Sequence, residues 1–248
     1  MPRTHATLPR LFVEPDLVAG AIVHLGRDQS LYLASVLRRE VGDEAVLFNG
    51  RHGAWRARLT AAAKKNVALE LVDQIAPQPA PANLWYGFAP LKAARLDYLV
   101  QKATEMGASV IQPVITRFTQ GRAPAERLRA NAVEAAEQCE VLNVPEIAPE
   151  IALDRLIAGW PPAHGERLLI FADEAAPAGS PVGQIAALAG RPVGLLIGPE
   201  GGFAEDERAL LLRQPFVVPI SLGPRILRAD TAAVAALALI QSIIGDWR

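Results

Sequence analysis

Two glycine-proline breaks near the C-terminus constrain this chain more than any other feature. The first is Val193-Gly-Leu-Leu-Ile-Gly-Pro-Glu-Gly-Gly-Phe203, and the second is Ser221-Leu-Gly-Pro-Arg-Ile-Leu-Arg-Ala-Asp-Thr231. Each follows a short apolar run of buried-strand type, breaks at Gly-Pro and leads into a helix-like segment. Strand, tight turn and helix in succession is the layout that places ligands at the carboxyl ends of strands in α/β proteins. Glu205, Asp206 and Glu207 then put acid in the first turn of the following helix, where the helix dipole favours it. Such acid is a poor neighbour for phosphate, and neither run is a dinucleotide fingerprint or a P-loop. One glycine-rich turn has a purely structural reading, but two in succession point to a site.

The remainder of the chain divides by pattern. Residues 1–73 read as short strands: Leu11–Val13, Ala45–Phe48, Ala54–Leu59 and Val67–Val72, with Asn49-Gly50 as a turn. In the third run Trp55, Ala57 and Leu59 alternate with Arg56 and Arg58, which predicts an apolar face and a basic face. One helix, Asp28–Arg39, interrupts them. Arg38 and Arg39 in its last turn either complement the helix C-terminus or contact phosphate. This unit is expected to be a small β-barrel.

Spaced prolines from Pro77 to Pro81 mark a linker over residues 74–82. Beyond it strands and helices alternate, which predicts a mostly parallel sheet over residues 83–248. The expected strands are Leu84–Ala89, Val110–Ile115, Leu168–Ala172, Val193–Ile197 and Phe216–Ile220, with Pro113 marking an edge or a bulge. The expected helices are Arg95–Met106, Ala123–Cys139, Ala204–Leu212 and Ala232–Ile244. Asp230 or Thr231 is placed to cap the last of them.

Composition excludes several classes. The chain has 248 residues, one cysteine and four scattered histidines, so no intrachain disulfide and no metal site are expected. A reducing cytoplasm is the expected compartment. No signal-peptide core or membrane-spanning run is present. The net charge of −1 conceals a split: residues 1–133 hold 17 basic and 11 acidic side chains, and residues 134–248 hold 8 and 15. A basic front half points to polyanion contact there. Cys139, flanked by carboxylates, reads as a buried structural cysteine rather than a nucleophile. Lys102 and Glu105, three apart on a helix, fit a surface ion pair. Arg225 and Arg228, in a loop with no obvious acidic partner, fit a clamp on phosphate or on an anionic base.

The chain resembles the ribosomal RNA small subunit methyltransferase E family nearly end to end. The residues that carry the likeness are Pro9–Phe12, Ser35–Arg38, Gly42-Asp43, Phe48–Gly50, Gln101–Gly107, Pro113 with Thr116-Arg117, Ala136–Cys139 and the two glycine-proline loops. Departures are Tyr32-Leu33 where many members have His-Leu, Glu140-Val141 after Cys139 where many have Gly-Arg, and Ala229-Asp230 in place of a common Thr-Glu.

The resemblance implies a PUA-like barrel in front of a SPOUT-class α/β domain with a trefoil knot. It implies a cytoplasmic homodimer that binds S-adenosylmethionine and methylates N3 of a uridine in 16S ribosomal RNA, either naked or within the small subunit. Methylation at N3, unlike that at carbon 5, requires no thiolate. The residues implied for the cofactor are Leu196, Ile197, Gly198, Pro199, Glu200, Gly201, Gly202, Leu222, Gly223, Ile226, Leu227 and Arg228. Arg228 and Glu200 are the implied catalytic pair, and Arg10, Arg38, Arg39, Lys102, Arg117 and Arg225 the implied RNA contacts. Two other readings remain: a SPOUT enzyme acting on another RNA position or a ribose hydroxyl, and a non-catalytic RNA-binding assembly factor.

Overall fold

A computed structural model describes residues 8–176 and 179–247. The chain forms two compact units, one of residues 1–80 with 136–144 and the other of residues 81–135 with 145–248.

The first unit is built on a five-stranded sheet. Its strands are β1 (Arg10–Phe12), β2 (Ile22–His24), β3 (Glu44–Phe48), β4 (Ala54–Ala63) and β5 (Asn66–Ala76), in the order β1-β3-β4-β5-β2. β1 runs parallel to β3, and the other pairs are antiparallel. Leu11, Val13, Leu33, Leu47, Leu59, Leu69 and Leu71 close its core. Strand β5 continues past Asp73 to Ala76, so the start of the expected linker belongs to the sheet.

Four local expectations change here. The expected helix is a short α1 (Arg27–Leu31) followed by one π-helical stretch, Tyr32–Val36. Arg38 lies beyond it in a left-handed conformation, φ 53°, so neither Arg38 nor Arg39 complements a helix end. The basic face of β4 is neutralised: Arg56 contacts Glu44 at 2.9 Å and Asp73 at 2.6 Å, and Arg58 contacts Glu44 at 3.2 Å. Cross-strand register puts Glu44 opposite Arg58 and Asp73 opposite Arg56, which a single strand's alternation does not reveal. Cys139 is exposed rather than buried, at the last position of its helix.

The second unit carries a parallel sheet. Its strands are β6 (Leu84–Phe88), β7 (Val110–Ile115), β8 (Glu146–Ile147), β9 (Ile151–Ala152), β10 (Leu168–Ala172), β11 (Val193–Ile197) and β12 (Val217–Ile220). Their order is β12-β10-β11-β6-β7-β8, and β9 also pairs with β7. Every pairing is parallel. The central strands β6 and β11 are buried at every position, as continuous apolar strands of a two-sided sheet should be. Strand β12 is an edge and mostly half-buried, which accommodates Pro219. Pro113 pairs with Phe88 on one side only and so occupies a local edge of β7, as its sequence signal predicted. On the far side of β7, strand β8 pairs with Val110 and Ile111, and β9 pairs with Val114 and Ile115, so Pro113 falls in the gap between them.

The helices are α2 (Ala93–Glu105), α3 (Ala125–Cys139), α4 (Leu153–His164), α5 (Pro181–Ala186), α6 (Glu205–Leu212) and α7 (Ala229–Ile243). Helix α7 starts earlier than expected. Its N-cap is Arg228, without a side-chain cap bond, and the Asp230 carboxylate accepts from the Thr231 amide inside the first turn. Among the described residues no helix is long and apolar enough to cross a membrane, and no group of metal-ligating side chains occurs.

Helix α4 ends on an aromatic cluster. The His164 ring lies 4.1 Å from that of Trp160 and 5.8 Å from that of Trp85. Burial, reinforced by Arg167, holds the His164 pKa below its ordinary value of 6.5. The unfolded chain therefore binds a proton that the folded chain resists, and stability falls as pH drops below about 6.5. The thermal midpoint of wild-type protein is expected to fall on acidification in this range more than that of His164→Phe. Equal falls in the two proteins would exclude His164 as a source.

Candidate active site

Three neighbouring strands, β12, β10 and β11, end on one side of the sheet, and the loops that leave them enclose a cavity of about 510 Å³. The walls are residues 171–176 at the end of β10, 197–200 with 202 and 203 at the end of β11, and 221–229 after β12, closed by Arg208 and Ala232. Two of these walls are the glycine-proline loops. The third, Asp173-Glu174, carried no signal in the sequence.

The sequence dictates much of this geometry. Gly198 follows β11 at a point where an added Cβ would stand 2.4 Å from the Phe203 ring. Only glycine lets the chain turn there while Phe203 packs edge-on to Phe171, with ring centroids 5.0 Å apart. Gly223, in the loop after β12, has φ +102°, a region L-residues rarely adopt.

Of the residues expected at a cofactor, Ile197, Gly198, Pro199, Glu200, Gly202, Leu222, Gly223, Ile226, Leu227 and Arg228 line the cavity. Leu196 and Gly201 do not. Leu196 is buried in the core beneath, and a Cβ on Gly201 would meet Phe118 at 3.2 Å. Among the described residues, no backbone acceptor is found for the amides of Leu222, Gly223 and Leu227, which leaves them available as donors.

The charges follow a pattern. Asp173 is buried, and Arg208 grips its carboxylate with Nε at 3.1 Å and Nη2 at 2.8 Å. The Asp173 carboxylate also accepts from the Ala175 amide, which fixes the turn after β10. Hydrogen bonding to Asp173 raises the pKa of Arg208. Glu200 accepts from Nη1 of Arg95 at 3.0 Å, and Nε of Arg95 lies 4.0 Å from Asp230. Arg95 of α2 therefore ties the first loop to the start of α7. Arg225 and Arg228 line the cavity, are exposed, and have no carboxylate in contact among the described residues.

The other expected basic contacts lie elsewhere. Lys102 meets Glu105 at 2.7 Å, the surface pair its spacing predicted. Arg117 is committed to α6: its side chain pairs with Asp206, whose pKa this bond lowers, and its amide donates to Glu207. Arg10, Arg38 and Arg39 belong to the first unit. Arg10 stacks over Phe48 at 5.5 Å, burial lowers its pKa, and its Nε is buried without a partner, as is that of Arg39.

Comparison with known proteins places this geometry. Residues 78–241 match the model of an RNA methyltransferase domain, and residues 25–72 match an RNA methyltransferase PUA domain. A Rickettsia conorii protein called Ribosomal RNA small subunit methyltransferase E is 32% identical, over 94% of each chain. A Synechocystis protein of the same name is 32% identical over 95% of this chain and 78% of its own. The crystal structure of a Ribosomal RNA small subunit methyltransferase E from Neisseria gonorrhoeae, bound to S-adenosyl methionine, superposes with a TM-score of 0.82 at 28% identity, covering 97% of this chain and all of that one. A Legionella pneumophila protein solved with bound SAM gives 0.81 at 28% identity, over 95% and 97% of the two chains. With both domain models in order along the chain and relatives matched almost end to end, the chain belongs to the ribosomal RNA small subunit methyltransferase E family of RNA methyltransferases.

Proposed function

We propose that this protein transfers a methyl group from S-adenosylmethionine to N3 of a uridine in 16S ribosomal RNA. The observation that carries the reading is the cavity over β10, β11 and β12, walled by both glycine-proline loops. Its donor set suits the cofactor. Apolar Phe171, Leu222, Ile226 and Leu227 offer a slot for a flat heterocycle, and the amides after β12 offer hydrogen bonds to its edge.

When bound, S-adenosylmethionine supplies a methyl carbon on a cationic sulfur. The chain must favour loss of the weakly acidic N3 proton and align the nitrogen with that carbon. Arg228 is the residue we assign to the anion that forms on the base, because it lines the cavity with no carboxylate in contact among the described residues. Glu200 has a different task. Paired with Arg95, it holds the first loop in place and adds negative potential beside the sulfonium. Positioning of the two reactants supplies much of the rate.

RNA recognition is assigned to the basic groups Arg10, Arg38, Arg39 and Arg225, with Lys102 and Arg117 available only if their present carboxylate partners are exchanged for phosphate. Arg38→Ala is expected to weaken RNA binding and to lower the slope of log K against log salt by about one, the signature of a lost phosphate contact. An unchanged slope in filter binding over a salt series would remove Arg38 from the interface.

The reading includes a cytoplasmic homodimer and the trefoil knot of the family. Light scattering at micromolar concentration should give twice the 26.5 kDa chain mass. Mass mapping of ribosomal RNA from a deletion strain tests the whole reading: one methylated uridine of the small subunit should lose its methyl group. A complete modification pattern in that strain would refute it.

A further inference from the structure

Of the three carboxylates that line the cavity, alongside Arg208, Arg225 and Arg228, two are held by an arginine in contact and one is not. Asp173 is held by Arg208 and Glu200 by Arg95. The remaining lining carboxylate is Glu174, exposed and without a basic partner in contact among the described residues. It sits on the loop after β10, and β10 is the middle strand of the three whose ends form the floor. Its Oε1 lies 3.2 Å from where a Cβ on Gly202 would stand, so the carboxylate lies against the first glycine-proline loop in space that glycine leaves open. The adjacent Asp173 is buried and tied to Arg208, to the Ala175 amide and through its own amide to Ile220, so the loop that presents Glu174 is anchored.

A carboxylate with no basic side chain in contact, held at the edge of a largely apolar slot, favours a cationic ligand group. Resting on the reading above that the cavity takes S-adenosylmethionine, we propose that Glu174 recognises the positive charge of the bound methyl donor. The donor has two such centres, the sulfonium and the α-ammonium of its methionine portion. S-adenosylhomocysteine keeps only the ammonium, and 5′-methylthioadenosine keeps neither.

Calorimetry on the full-length chain with these three ligands separates the cases. In Glu174→Gln, affinity for S-adenosylmethionine is expected to fall about tenfold, the scale of one hydrogen bond to a charged group. Affinity for 5′-methylthioadenosine should stay within about twofold, and Glu174→Asp should recover part of the loss. S-adenosylhomocysteine weakened in parallel assigns the ammonium to Glu174; S-adenosylhomocysteine unaffected assigns the sulfonium, and Glu174 then favours substrate over product. Unchanged affinity for S-adenosylmethionine in Glu174→Gln, or an equal loss for 5′-methylthioadenosine, overturns the proposal. Wild-type protein that binds none of the three would instead overturn the assignment of the cavity itself.

Discussion

Arg228→Ala is expected to lower turnover by about 10²- to 10³-fold while affinities for donor and RNA stay within about twofold. Arg228 lines the cavity at the start of α7, where its side chain makes no cap bond, so its removal does not cost the helix a hydrogen bond. The backbone carbonyl of Arg228 accepts from the Ala232 amide at 2.8 Å, and that bond survives the substitution. An interaction made mainly with charge developing on the base lowers kcat and kcat/KM together, which is the pattern single-turnover and steady-state kinetics should show. A rise in KM for RNA at unchanged kcat would make Arg228 a binding residue instead. Arg228→Lys restores the charge without the planar fork, and intermediate activity is expected.

Gly198→Val should abolish detectable donor binding, a loss of more than about 10²-fold, with the fold retained. The first atom of the new side chain would stand 2.4 Å from a carbon of the Phe203 ring. Phe203 lines the cavity and is itself packed against Phe171, which is buried, so relief pushes the ring into the ligand's space. Combining the substitution with Phe203→Ala removes the obstacle and should recover part of the affinity. Failure of the double variant to bind better than Gly198→Val, at matched thermal midpoints, would show that the ring is not the cause. Donor binding to Gly198→Val at wild-type strength would show that the ligand does not enter beside this turn.

The parts of the fold that were legible in the sequence are those where one local signal suffices. Continuous apolar runs gave β6, β10 and β11, and Gly107, with φ +79°, ends α2 where expected. Strand β2 was missed because Ile22–His24 is three residues long with Ile22 exposed, so burial alternates too briefly to register. Helix α4 was missed for the opposite reason. Prolines such as Pro161 and Pro162 disfavour a helix interior, yet they fall near the end of α4, where fewer helix bonds remain to be lost.

The site divides in the same way. Its two glycine-proline walls could be read because glycine and proline carry their conformational meaning locally. Its third wall could not, because Asp173 matters through Arg208, 35 positions away, and Glu174 through a gap beside Gly202. The Arg95 tie to Glu200 and Asp230 is equally invisible in one dimension, since it joins α2 to two loops formed much later in the chain. Charge pairing also explains why Arg56, Arg58 and Arg117, basic in the sequence, are not open cations in the structure.

The central claim is a methyl transfer to one atom of one base. Incubating the purified full-length protein with isotopically labelled S-adenosylmethionine and unmethylated small subunits, then digesting the RNA to nucleosides, measures it directly. The account predicts that label appears in 3-methyluridine alone and that Arg228→Ala reduces its rate by the factor given above. Label in a 2′-O-methyl nucleoside, in another base, or in no nucleoside at all would contradict it.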